Sequence, residues 1–155
     1  MRSVHDWLDE YGGSHRNPVN KTLHWICVPL ILLSLIGLLW SIPVPAAWAV
    51  RTPFLNWGVL FMLAALVYYY ALAWRLALGM TLVTVVVIAM VYGASRLPVT
   101  LWLLSVMVFV AAWIGQFIGH RIEGKKPSFF KDIQFLLIGP LWLLAFVYQR
   151  ARLAY

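Results

Sequence analysis

The sequence predicts an all-α, polytopic membrane helical bundle, with four transmembrane helices and a fifth hydrophobic segment that is kinked or re-entrant. Three observations predict it. Of 155 residues, 63% are hydrophobic and 11% are charged, with a mean hydropathy of +0.84. A soluble domain runs about 45–50% apolar and about 25% charged, so a water-soluble enzyme and a disordered chain are both excluded. The apolar residues gather in charge-free stretches at 25–42, 54–74, 76–95, 97–119 and 133–149, and crossing a bilayer takes roughly 20 such residues, with a range of about 17–25. The loops between them are basic, as membrane loops on the cytoplasmic side are.

Residues 1–23 read as a cytoplasmic N-terminal segment. Arg2, Asp6, Asp9 and Glu10 leave it without the apolar core of a signal peptide, so the first hydrophobic segment directs insertion. Asn17-Pro18 is a helix start: asparagine caps, and proline takes the first helical position, where its missing N–H costs nothing. Pro43 and Pro45 end the first span. Short connections around 75–79 and 96–98 make the next spans antiparallel neighbours. The stretch 133–149 is at the short limit for a span and carries Gly139-Pro140 in its middle. With no repeat, low-complexity tract or linker, residues 1–155 form a single integral membrane domain.

Lysine and arginine placement orients the bundle. With the N-terminus cytoplasmic, Arg2, Arg16, Lys21, Arg75, Arg121, Lys125, Lys126 and Lys131 lie inside, and Arg51 and Arg96 outside. Arg150 and Arg152 follow from whether the last segment crosses. The segments before the first span and after the fourth therefore share one side. The expected setting is a bacterial inner membrane, or the endoplasmic reticulum of a eukaryote. The net charge of +7 is explained by topology and anionic head groups. No basic stripe with interleaved aromatics appears, so no nucleic-acid partner is expected. Cys27 is the one cysteine, which excludes an intrachain disulfide and a cysteine zinc site.

The histidines fall in two polar clusters. The first holds His15, Asn17, Asn20 and His24. Asn20 and His24 are i,i+4 and share a helix face, and His24 lies about 9 Å along the axis from Pro18 at about 1.5 Å per residue. The second holds Trp113, Gln116, His120 and Glu123, at i, i+3, i+7 and i+10 on one face. Gly115 and Gly119 beside it form a small-xxx-small pair that permits close helix approach. A polar stripe at the end of an apolar helix faces the bundle interior or a wet cavity. His15, His24 and His120 with Glu123 make the ligand set of a non-haem iron or zinc site. The competing reading is interfacial: histidines at head-group level, Asn17 as a cap, and Glu123 paired with Lys125 or Lys126. His5, among Asp6, Asp9 and Glu10 on a solvated amphipathic helix, is the outlying histidine and at most an extra ligand.

Tyr11-x3-His15-x-Asn17-Pro18-x-Asn20-x3-His24-x4-Pro29, followed by Trp113-x2-Gln116-Phe117-x-Gly119-His120, resembles a small membrane family. That family was catalogued as a domain of unknown function and includes the fungal 2-hydroxy fatty acid dioxygenase of the endoplasmic reticulum. The resemblance covers nearly the whole chain, including the basic turn from Glu123 to Pro127 and the late Pro140. It implies Fe(II)-dependent α-oxidation of a 2-hydroxy fatty acid with O2, giving CO2 and the acid one carbon shorter. It places His15, Asn20 and His24 on the first motif and Gln116, His120, Glu123 and Pro127 on the second. Glu123 follows His120 at a shorter spacing than the fungal pattern, and His5 has no counterpart there. A 2-hydroxy acid can chelate iron through its carboxylate and hydroxyl, with Arg16 or Arg121 holding the carboxylate and the tail between helices. Asn20, Gln116 and Trp113 are then orienting residues. Two further readings stay open: a small transporter or channel with a histidine relay, and a non-catalytic scaffold or lipid-binding protein. The sequence leaves the oligomeric state unknown.

Overall fold

The computed structural model describes residues 2–128 and 134–155. Its helices are α1 (Val4–Gly13), α2 (Pro18–Trp40), the single-turn α3 (Ala46–Ala49), α4 (Trp57–Leu72), α5 (Trp74–Ala94), α6 (Leu101–Glu123) and α7 (Phe135–Arg150), with no strand among the described residues. Ile133, the first residue of the last hydrophobic stretch, and Lys131 lie outside the described residues.

α1 starts with a capping box. Ser3 Oγ accepts from the Asp6 N–H at 3.2 Å, and Asp6 accepts from the Ser3 N–H at 2.9 Å. Its apolar face, Val4, Trp7, Leu8 and Tyr11, has helical spacing and is buried against α7. The Arg2 guanidinium covers the Trp7 ring and pairs with Glu10 on the outer face.

α2 begins where Asn17-Pro18 predicts. The Asn17 side chain accepts from the Val19 N–H at 2.9 Å, and Pro18 is the first helical residue. This helix is the hub and packs against α4, α5, α6 and α7. Its longest seam is with α6. A Cβ placed on Gly37 would meet Ser105, one on Gly115 would meet Cys27 Sγ at 2.6 Å, and one on Gly119 would meet Asn20. Ascending positions on α2 thus face descending positions on α6, so the two run antiparallel. The seam is narrow because glycine occurs at each of these levels, as the Gly115/Gly119 pair predicts.

By length and composition three helices suffice to cross a membrane: α2 and α6 with 23 residues each and α5 with 21. α4 and α7 have 16 residues each, about 24 Å at about 1.5 Å per residue, against a hydrocarbon core of about 30 Å. The stretch 54–74 shortens to α4 because Pro53 precedes it and the Asn56 side chain caps at Val59 N–H. Its other end is Ala73, extended at φ −160° and ψ 90°. That single residue is the whole connection between α4 and α5. The expected link at 75–79 is instead the first turn and a half of α5. Gly79 serves packing there rather than a turn: a Cβ would lie 2.8 Å from Leu144 and 2.9 Å from the Tyr148 hydroxyl of α7. α7 continues through Pro140, and the Tyr69 hydroxyl donates to the Leu137 carbonyl at 2.8 Å.

The narrow seam carries a stability prediction. Gly115→Leu overpacks α2 against α6 and should cost about 1–3 kcal/mol. Gly93→Leu, at a helical glycine with nothing within 4 Å of its Cβ position, should be neutral or slightly stabilising. Unfolding of the two variants in mixed micelles, followed by circular dichroism, checks the contrast. Equal loss in both would contradict it.

Candidate metal centre

Three elements meet at one end of the bundle. α1 ends at Gly13, and the next residues turn back so that His15 N–H reaches the Gly12 carbonyl at 3.0 Å. α2 carries Asn20 and His24 on one face. α6 brings Gln116, Gly119 and His120, then stops at Gly124, whose φ of 71° is the left-handed region that glycine tolerates. The Lys125 N–H closes that turn on the His120 carbonyl at 3.2 Å.

Glu123 locks these elements together. Its Oε1 accepts from the Arg16 N–H at 2.9 Å, and its Oε2 accepts from the Asn17 N–H at 2.8 Å and from Asn20 Nδ2 at 3.1 Å. A carboxylate at the start of α2 also complements the positive end of the helix dipole. Asn20, fully buried, donates from the same Nδ2 to the Ser14 carbonyl at 3.2 Å. Ser14 and Ser128 hydroxyls bond at 2.7 Å, and the Lys125 ammonium donates to the Gly13 carbonyl at 2.7 Å. The loop before α2 and the turn after α6 therefore lie on one face of the bundle, as loop charges predict.

Behind this clamp the three histidines converge, 1%, 1% and 5% exposed for His15, His24 and His120. Their ligand atoms all lie within 4.8 Å of one another. His15 Nδ1 lies 2.6 Å from the Tyr11 carbonyl and His24 Nδ1 2.9 Å from the Asn20 carbonyl. A carbonyl oxygen only accepts, so each Nδ1 carries the proton and each Nε2 presents a lone pair. Those Nε2 atoms stand 2.8 Å apart. Two lone pairs at that distance repel unless a positive charge sits beside them. Burial pushes the His15 imidazole down to about 4, so a proton is a poor candidate near neutral pH. A metal ion fits: two nitrogens each about 2.1 Å from one ion lie about 3 Å apart at right angles. His120 Nδ1, buried without a hydrogen-bond partner among the described residues, completes a cluster that can bind a metal.

An apolar cavity of about 430 Å³ opens from the cluster. His24, His120 and Gln116 line it at that end, Tyr11 joins them, and Trp113 lines it about two turns farther along α6. Tyr11 stacks on the His15 ring at 4.2 Å and contacts Trp142 at 5.4 Å, while its hydroxyl sits against Gly139, where a Cβ would be 3.1 Å away.

The family model of 2-hydroxy-palmitic acid dioxygenase Mpo1-like proteins matches residues 1–151. The chain belongs to the Mpo1-like family. Comparison with curated proteins and with solved structures finds no match. In this Mpo1-like chain the structure gathers His15, His24 and His120, with Asn20 and Gln116 beside them and Trp113 farther along the cavity wall. Glu123 is spent on backbone N–H groups and Asn20, and the converging ligand atoms are those of the three histidines. Arg16 and Arg121 are exposed and line no wall of the apolar cavity; Arg16 borders a separate surface hollow with Lys125 and Lys126. His5 is exposed and stacks on Tyr155, with ring centres 5.6 Å apart. Sequence reasoning gave Tyr11 a place in the motif but no role, and passed over Trp142. The available signal was the place of Tyr11 in the motif beside His15, since α1 ends at Gly13 and helical spacing does not carry Tyr11 to His15.

Glu123→Ala leaves the Arg16 and Asn17 N–H groups without their acceptor. It should destabilise the fold by about 1–3 kcal/mol and speed amide exchange at those two residues above that of α5. Unchanged exchange at Arg16 and Asn17 would show that the clamp is not needed.

Proposed function

We propose that this protein is an Fe(II)-dependent dioxygenase that α-oxidises 2-hydroxy fatty acids, with its site on the cytoplasmic face of a membrane. The observation that carries the reading is the set of three buried, converging imidazoles at one end of an apolar cavity, in a family named for 2-hydroxy-palmitic acid dioxygenase. His15, His24 and His120 would hold the iron. Imidazole suits iron, and open positions beside the protein ligands accommodate a bidentate substrate and oxygen. The iron, when bound, supplies the activation of O2.

The overall chemistry balances without a further reductant. R–CH(OH)–COOH and O2 give R–COOH, CO2 and H2O. The C1–C2 bond breaks, C1 gives up one electron and C2 three, and O2 takes up all four.

The chain's own residues do the rest. The Tyr11 and Asn20 carbonyls hold Nδ1–H of His15 and His24, which fixes the rings with Nε2 inward. Asn20 and Glu123 hold the loop that carries His15. Tyr11, Trp142 and the apolar wall exclude water from the cluster. Gln116 lines the cavity beside His24 and His120 and offers an amide to the substrate's oxygens. A histidine relay through a transporter needs stations along the span, whereas these histidines stand together at one end.

Purified protein should retain about one iron per chain and lose it in His15→Ala, His24→Ala and His120→Ala, each remaining helical, because three protein ligands rarely leave one to spare. Glu123→Gln and His5→Ala should keep most of it. Full iron in His24→Ala would sink the ligand assignment. The reaction is checked by anaerobic loading with Fe(II), addition of 2-hydroxypalmitate and O2, and mass analysis for the acid one carbon shorter. Unhydroxylated palmitate, which lacks one chelating oxygen, should react at least about 100-fold more slowly. No shortened acid from iron-loaded protein would defeat the dioxygenase reading.

A further inference from the structure

The cavity has a direction. Its polar lining groups, among them His24, His120, Gln116, Tyr11 and Ser128, gather at the cluster end, and its far half is lined by apolar residues alone. On α2 the lining runs from His24 to Leu35, and on α6 from His120 back to Phe109. Each is eleven positions, or about 16 Å at about 1.5 Å per residue. That is about half of a hydrocarbon core of about 30 Å, the depth of one leaflet and so of one acyl chain. α4 runs antiparallel to α2, since a Cβ on Gly58 would meet Ile36 while Ala65 and Tyr69 share a buried cluster with Val28. Phe61 therefore lies at the deep end with Leu35 and Phe109.

The cavity also has an open side. α6 packs chiefly on α2, whereas α4 and α7 close the opposite wall through α5 and α2. Leu136 of α7 and Phe61 of α4 line the cavity and are 43% and 37% exposed. Across the cavity from them lies the Phe109–Trp113 stretch of α6, and between the two the cavity would open as a slot. A slot facing lipid on a membrane helix bundle receives what lipid contains.

We propose that this slot takes up a single acyl chain sideways from the bilayer, carboxyl end at the histidines and methyl end at Leu35, Phe61 and Phe109. These three residues set the longest chain that seats fully. The inference takes the acid as substrate from the reading above, but the slot itself stands on wall chemistry, depth and opening. Ala65, buried on α4 midway along the wall, is where a larger side chain would cut the slot short.

The test uses the full-length, metal-free protein in lipid nanodiscs, so that no turnover is required. The probes are 2-hydroxy fatty acids carrying a diazirine either at mid-chain or at the tail end, with labelled residues mapped by mass spectrometry. Mid-chain probes should label around Ile31, Ala65 and Trp113, and tail-end probes around Leu35, Phe61 and Phe109. Excess 2-hydroxypalmitate should suppress both. Ala65→Phe should lower tail-end labelling at Phe109 by about tenfold or more, while Phe109→Ala should move the preferred chain length upward, since a methylene in an apolar pocket is worth about 10-fold or more. Circular dichroism establishes that each variant is folded, and the wild-type depth map stands without either. Labels spread over the outer faces at Leu103, Val110 and Ile114, whatever the diazirine position, would overturn the slot. Labels that walk with depth in a protein that leaves 2-hydroxypalmitate unoxidised when iron-loaded would uphold the slot and defeat the dioxygenase reading; oxidation without the walk would do the reverse.

Discussion

Glu123 accepts the Arg16 and Asn17 N–H groups and the Asn20 amide, and the arrangement of the whole polar end follows from that one carboxylate. It is the last residue of α6, so it reaches the start of α2 only if the two helices run antiparallel in close contact. The glycines at 115 and 119 permit that contact. Once α2 and α6 are joined at this end, His24 and His120 face each other. Once the Arg16 and Asn17 backbone is held, the loop before α2 folds inward and delivers His15 between them. An acid at a helix N-terminus is a favourable local interaction. Here it also decides where the third imidazole of the cluster can sit.

The cluster that results is unusual in its electrostatics. Two imidazoles whose outer nitrogens donate to backbone carbonyls are committed to presenting lone pairs, and they present them to each other at 2.8 Å. Burial makes protonation a poor relief for His15. Such a site gains by binding a cation and loses little when the cation carries its own charge into a low-dielectric surrounding, because the remaining positions can take an anionic chelate. A 2-hydroxy carboxylate is that kind of chelate. On the proposed reading its hydrocarbon tail would occupy the apolar cavity, whose lining does not include the exposed Arg16 and Arg121.

Much of this was legible in the chain. The Asn17-Pro18 helix start, the small-residue pair at 115 and 119, and the sharing of one face by the two histidine clusters all rest on local chemistry, and the structure has each of them. What escaped was of two kinds. Ala73 carries no turn signal, yet it alone separates α4 from α5; the expected break at 75–79 followed Arg75 and Gly79, whose positions are helical because Gly79 packs against Tyr148. The place of Glu123 also escaped. Its spacing from His120 marks the right helix face, but only the tertiary approach of the Arg16 and Asn17 N–H groups shows where its oxygens are spent. Tyr11 lay in the motif, and its stacking on His15 depends on the turn at Ser14, which periodicity does not report.

The central claim is that His15, His24 and His120 together bind one metal ion through nitrogen. X-ray absorption at the iron K-edge of Fe(II)-loaded protein in lipid, without substrate, addresses it directly. The account predicts light-atom neighbours at about 2.0–2.2 Å together with the outer-shell scattering of about three imidazole rings, lost in part in each single histidine variant. A first shell of oxygen alone, with no imidazole scattering and no change in the His24→Ala protein, would contradict it.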